Sequence, residues 1–231
     1  MKNPPKVVVI IPAVNEEESI GKVVEAIPRP LVDTIIVGNN GSKDNTAEVA
    51  KKAGAVVVDE SRPGYGWACL KGMEYASQMD EKPDIIVFID GDFSDYPEEM
   101  PNVVAPIIEN DIDLVIGSRA LGAKEKGSMT FPQRFGNWLA TRLMRLFYRV
   151  RYTDLGPFRA IKYDALMNLG MSDKTYGWTI EMQLRAAKHK LTYTEVPVNY
   201  KRRIGKSKVS GTIKGTILAG YKIIFAIFKY L

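Results

Sequence analysis

Apolar positions along the chain follow two alternating rhythms. Largely apolar, β-branched runs occupy residues 6–11, 34–37, 55–58, 84–89 and 113–117, and each gives way to a polar or glycine-bearing turn. Runs of that length with abrupt polar ends predict buried strands. Between them, helices are predicted from about Ser19, over 44–53, from the Gly64-Tyr65-Gly66 turn through residue 79, and over 97–110. Asp44 is the candidate N-cap of the second helix and Gly54 its stop. Strand and helix alternating at short spacing predict an α/β fold with a mostly parallel central sheet and helices on both faces. Ligands are expected at the carboxyl ends of its strands.

Beyond Arg119 the rhythm loosens. Residues 122–127, marked by glycine and charge, predict a mobile loop. An amphipathic helix is predicted over 133–148, a strand over 158–161, helices over 163–169 and 179–189, and a strand over 191–199. The last segment, 213–231, carries Ile217, Leu218, Tyr221, Ile224, Phe225 and Phe228 at helical spacing, interrupted by Lys222 and Lys229. Such a stripe suits either a helix packed on its own protein or one lying at a bilayer surface. No repeat or low-complexity linker divides the chain, so one domain is expected over 1–231, with halves at 1–118 and 119–212 and the terminal helix at 213–231.

Composition narrows the class. The 231 residues are 45% hydrophobic and 26% charged, near globular averages. The single cysteine, Cys69, excludes an internal disulfide and suits a reducing compartment. The apolar run near the start meets Pro12 too soon for a signal peptide. No window reaches the ~20 apolar residues of a spanning helix. A cytoplasmic location is expected, free or peripheral on the inner face of the membrane. The net charge of +5 is concentrated late, at Lys201, Arg202, Arg203, Lys206, Lys208 and Lys214, which favours phosphate-rich partners. Nucleic acid is not the expected partner, because the chain has neither a Cys/His finger nor an RNP-type aromatic signature.

The strongest chemical signal is Asp90-Gly91-Asp92 at the end of a buried strand. Two carboxylates separated by one glycine can face one cation with no side chain between them, and hard oxygen ligands suit Mg²⁺ or Mn²⁺. Such an ion would clamp a diphosphate and offset the charge that grows as it leaves. Asn15-Glu16 and Asn39-Asn40-Gly41-Ser42 end neighbouring strands and converge on the same crevice. Each asparagine offers a donor and an acceptor, as a base edge or ribose requires.

Five segments, Pro12-Ala13-Val14-Asn15-Glu16, Asn39 to Thr46, Asp90-Gly91-Asp92, Gly117-Ser118-Arg119 and Arg202 to Lys208, together resemble family 2 glycosyltransferases. Within that family the chain resembles the dolichol-phosphate mannose or glucose synthase branch. The resemblance implies a GT-A fold, an inverting mechanism, and transfer of a hexose from a UDP or GDP donor to a polyprenyl or dolichyl phosphate at a membrane surface. It makes 1–118 the nucleotide-sugar half and 119–212 the acceptor half with a basic closing loop. Pro12, Asn15, Glu16, Asn39, Asn40 and Gly91 fall beside the donor, with Asn40 where the family usually has an aspartate that reads the base. Asp90 and Asp92 match the metal motif, and Ser94 stands where a glutamine is common, which makes Ser94, Asp95 or water the candidate further ligand. Arg119 and Arg134 match acceptor-phosphate arginines, while Arg202, Ser207 and Lys208 match the loop over the diphosphate.

The acceptor class turns on a general base. A hydroxyl must lose a proton during attack, whereas a lipid phosphate is already anionic. Asp154 and Glu181 are the candidate bases or sugar-holding carboxylates, and the only histidine, His189, lies between two lysines in a predicted helix. Transfer to a hydroxyl, a nucleotide-sugar-binding module without catalysis, and a nucleotidyltransferase are the competing readings. The last conflicts with the absence of a glycine-rich basic loop after the first strand.

Overall fold

The computed structural model describes residues 4–205 and 213–231. Seven strands form one sheet in the order β3-β2-β1-β4-β6-β5-β7. They are β1 Val7–Ala13, β2 Thr34–Asn39, β3 Val56–Asp59, β4 Ile85–Phe88, β5 Leu114–Ser118, β6 Arg159–Lys162 and β7 Tyr193–Pro197. All neighbours pair in parallel except β6, which runs antiparallel to β4 and β5. The helices are α1 Ile20–Ala26, α2 Thr46–Lys52, α3 Tyr65–Gln78, α4 Met100–Asn110, α5 Phe131–Tyr148, α6 Tyr163–Leu169, α7 Trp178–Lys188 and α8 Ile213–Lys229.

The period of two in β1 divides the core. Val7, Val9 and Ile11 face α1, α2 and α4, while Val8 and Ile10 face a larger core shared with α3, α5, α6, α7 and α8. Every residue of β1 is buried, the signature of a strand covered on both faces. Truncating Ile10 to alanine there would cost about 2–5 kcal/mol. Phe88, at the end of β4, meets Trp178 edge-on with ring centroids 5.9 Å apart, so the turn carrying Asp90 rests on a rigid aromatic floor.

Several predicted boundaries shift. β1 continues through Pro12 to Ala13, paired with Gly38 and Asn39, because a proline near a strand end forfeits only one hydrogen bond. The N-cap of α2 is Asn45, not Asp44. The Asp44 carboxylate instead accepts from the Thr46 N–H at 3.0 Å, holding the turn one residue earlier. α5 starts at Phe131 with Pro132 in its first turn, closed by a reciprocal capping box between Thr130 and Gln133.

The segment read as a mobile loop, 122–127, is stitched to the chain after β7. Tyr200 N–H donates to Ala123 O and Glu125 N–H to Tyr200 O, each at 2.9 Å. Gly122 lies so close to the Val198 carbonyl that a Cβ would stand 2.0 Å from it. Charge and glycine in that segment therefore serve close packing and pairing.

Candidate active site

The carboxyl ends of β1, β2 and β4 open on two adjoining cavities of about 350 and 510 Å³. The smaller is lined by Pro12, Glu16, Asn40, Gly64 and Gly91, the larger by Arg119, Ser128, Arg202 and the first turns of α5. Tyr65, Asp90, Asp92, Tyr176 and Arg203 line both, so the acidic pair stands at their junction.

Asp90 accepts a hydrogen bond from the Tyr65 hydroxyl at 2.9 Å. Burial, and then the like charge of Asp92, push its carboxyl up to about 7. A carboxylate pair that resists ionising together is one that a cation would relieve. Asp92 is buried. Its Oδ1 accepts from the backbone N–H and hydroxyl of Ser94, leaving Oδ2 3.1 Å from the guanidinium of Arg203. Ser94 therefore holds one oxygen of Asp92 in place through both its backbone and its side chain. Among the described residues no group of three or more histidine, cysteine or carboxylate side chains forms a preformed metal centre. The donor set is two hard carboxylate oxygens at a cavity junction, which fits a Mg²⁺ or Mn²⁺ ion whose remaining ligands come from phosphate and water.

Tight packing sets the wall opposite. Gly66, in the first turn of α3, lies so near the Asp173 carbonyl that a Cβ would stand 2.0 Å away, which lets the 173–176 segment bring Tyr176 over the cavity. Asn40 spends its amide on the loop between β3 and α3. Nδ2 donates to the carbonyls of Glu60 and Arg62, and Oδ1 accepts from Gly64 N–H at 2.7 Å. Asn39 donates to Asp59. Asn15 is exposed, in the left-handed region at φ 50°, and its Oδ1 accepts from Lys43 N–H.

Beyond β5, Arg119 and Asp154 form a bidentate pair with both guanidinium contacts at 2.8 Å, and the Arg119 N–H also donates to the carboxylate. Burial raises the proton affinity of Asp154, but the Arg119 charge and hydrogen bonds outweigh it and hold the carboxyl below its ordinary value. Glu181 is buried and accepts from the backbone N–H groups of Ser172 and Asp173, from Arg185 and from the Tyr230 hydroxyl. Against the effect of burial, those bonds, led by Tyr230, keep it below its usual range. Both carboxylates are engaged in anchoring, and neither is among the described residues that line the two cavities. His189 caps the end of α7.

Arg134 is exposed in the first turn of α5 and does not line the larger cavity. Arg202 does, with its guanidinium anchored on the Lys126 carbonyl. Ser207 and Lys208 lie outside the described residues. Tyr65 and Ser128, whose buried hydroxyl has no hydrogen-bond partner among the described residues, line the site without a local motif that marks them. Arg203, expected only as part of the basic cluster and the Arg202 to Lys208 segment, reaches the junction of the cavities beside Asp92 through tertiary packing.

A single sheet with its acidic pair at the topological centre, between two cavities, defines a class of α/β enzymes that handle nucleotide-linked substrates. The model of the glycosyl transferase family 2 matches residues 8–170, and the chain belongs to that family and is a glycosyltransferase. An uncharacterized glycosyltransferase of Mycobacterium tuberculosis is 36% identical over 216 residues, covering 92% of this chain and 94% of its own. The undecaprenyl-phosphate mannosyltransferase of Micrococcus luteus is 28% identical over 91% of this chain and 90% of its own. Among solved structures, glucosyl-3-phosphoglycerate synthase of Mycobacterium tuberculosis, determined with Mn²⁺, UDP-glucose and phosphoglyceric acid, superposes with a TM-score of 0.76. It is 24% identical, over 98% of this chain and 79% of that one. The fold is GT-A, as the sequence motifs imply.

Proposed function

We propose that the enzyme transfers a hexose, glucose or mannose, with inversion, from a UDP or GDP donor to a polyprenyl or dolichyl phosphate at a membrane surface. The observation that carries this reading is the makeup of the larger cavity. It presents Arg119, Arg202, Arg203 and the start of α5 to an incoming group, while the two candidate bases are locked in structural contacts. Guanidinium forks and a helix N-terminus suit a phosphate, which needs no base to attack. The relation to an undecaprenyl-phosphate mannosyltransferase points the same way.

Donor binding is assigned to the smaller cavity, with the nucleoside beside Pro12, Glu16 and Asn40 and the diphosphate reaching the aspartates. A divalent ion held by Asp90 and Asp92 would neutralise the departing diphosphate. Tyr65 and Ser94 fix the two carboxylates for that task. Arg119, itself held by Asp154, orients the acceptor phosphate toward the anomeric carbon, and Tyr176 restricts water at the junction.

The larger cavity also reaches Gly220 and Ile223 of α8. α5 and α8 pack together, joined by the Phe147–Phe228 edge contact and the Tyr148 hydroxyl on the Ile227 carbonyl. Their outer surface exposes Phe131, Phe135, Trp138, Leu146, Tyr221 and Phe225. No Asp or Glu occurs over residues 126–153 or 196–231, whereas Arg134, Arg142, Arg145, Lys222 and Lys229 do. An aromatic, acid-free, basic surface suits the headgroup layer of an anionic bilayer. No described helix is long and apolar enough to cross a membrane, so contact of this kind would be peripheral.

The test is release of UDP or GDP from a nucleotide hexose, measured with Mn²⁺ and with or without polyprenyl phosphate in vesicles. Release that depends on both supports the proposal. Release that follows a hydroxyl acceptor and ignores the lipid phosphate overturns it.

A further inference from the structure

Arg203 holds the two sides of the donor mouth together. Its Nη2 donates to Glu16 Oε1 at 2.9 Å and its Nη1 lies 3.1 Å from Asp92 Oδ2. One guanidinium thus bridges the turn after β1 and the turn after β4. The backbone around it is fastened to the same turn, with Ile204 N–H donating to Asp92 O at 3.0 Å and Lys201 N–H to Ser94 O at 2.9 Å. Arg203 Nε is buried with no hydrogen-bond partner among the described residues. Because Ser94 occupies Asp92 Oδ1, the oxygen that Arg203 takes is the one Asp92 turns toward the cavities.

We propose that Arg203 is a positioning residue that makes divalent-ion binding conditional on the nucleotide diphosphate. In the empty enzyme its guanidinium serves as the cation for Asp92 and Glu16. A metal ion arriving alone must displace Nη1 from Asp92 and then sit beside a positive charge that has lost a partner. A metal ion arriving with a diphosphate meets a different balance. The phosphate oxygens receive the guanidinium fork, including Nε, and Asp92 passes to the metal. Reciprocity requires that the metal strengthen nucleotide binding by the same factor. The inference rests on the proposed donor and metal site at Asp90 and Asp92.

The experiment measures Mn²⁺ binding from the free-ion EPR signal, without nucleotide and with saturating UDP or GDP, in the wild type, Arg203→Met and Arg203→Lys. Calorimetry gives the nucleotide affinity in the same mixtures. In the wild type, nucleotide should tighten Mn²⁺ by roughly tenfold or more, within the usual range of coupling between sites. Arg203→Met should bind Mn²⁺ alone about tenfold more tightly than the wild type and bind nucleotide with Mn²⁺ about tenfold more weakly, so the coupling collapses. Arg203→Lys keeps the charge but cannot fork, and should fall between. The side chain is partly exposed, and a thermal melt of each variant verifies folding.

Unchanged or weaker Mn²⁺ binding by folded Arg203→Met without nucleotide overturns the role of Arg203, as does coupling equal to the wild type. Wild-type protein that binds neither UDP nor GDP with Mn²⁺ contradicts the underlying donor site instead, so the two failures are distinct.

Discussion

Asp90 and Asp154 are both carboxylates within the site region, yet their surroundings drive them in opposite directions. Asp90, buried beside a like charge, is pushed up to about 7, so its folded form keeps a proton that the unfolded chain has lost. Its contribution to stability is fully present below the ordinary aspartate value and is lost as pH rises through about 7. Mn²⁺ affinity moves the other way. It should climb as Asp90 deprotonates and level off above neutrality, and Asp90→Asn should bring the affinity close to background at every pH; a titration at several pH values reads both. Asp154, held low by Arg119, is a different case. Asp154→Asn strands a nearly buried guanidinium and should destabilise the fold by about 3 kcal/mol in urea unfolding, as breaking a buried pair does. Were Asp154 a base and not an anchor, the same change would cut turnover and leave stability untouched. The aspartate pair was legible in the sequence because both residues sit on one turn, whereas the Arg203–Glu16 contact spans 187 positions and left no local mark.

At the scale of elements, the strand and helix pattern of the first half was legible nearly residue by residue. Fully buried parallel strands read as continuous apolar runs, and polar turns punctuate them sharply. The segment 122–127 was misread because its glycines and charges mimic a flexible loop, while their partners lie on the chain after β7. α5 shows the complementary difficulty. Its aromatic and basic residues read as a plain amphipathic helix, and only the structure shows Phe131, Phe135 and Trp138 exposed in series on its surface, with Phe147 packed on Phe228 of α8. If that surface meets lipid, the wild type should sediment with vesicles containing anionic phospholipid. Phe135→Ser with Trp138→Ser should weaken that binding by tenfold or more, since each side chain would bury substantial apolar area. Equal sedimentation of the two proteins would argue that the face has another use.

Across the whole molecule, the sheet order places the first and fourth strands side by side, and their adjacency makes one site of two turns that are far apart in sequence. The first turn of α7 then links this centre to the C-terminal segment, with Trp178 edge-on to Phe88 and Glu181, one turn on, accepting from the Tyr230 hydroxyl. The fold and the metal-ready pair follow from patterns that a sequence displays directly. Which groups line the larger cavity does not, because exposure of Arg134, anchoring of Arg202 on Lys126 and enclosure of Ser128 are set by tertiary packing. The cavity beyond the aspartates is proposed to receive a lipid phosphate, and the most direct test is isolation of the product formed from labelled nucleotide hexose, Mn²⁺ and polyprenyl phosphate, with the linkage and anomeric configuration assigned by NMR. The expected product is a hexose joined through a phosphodiester to the lipid, with inverted configuration. A hexose bound to a hydroxyl, or retained configuration, would contradict it.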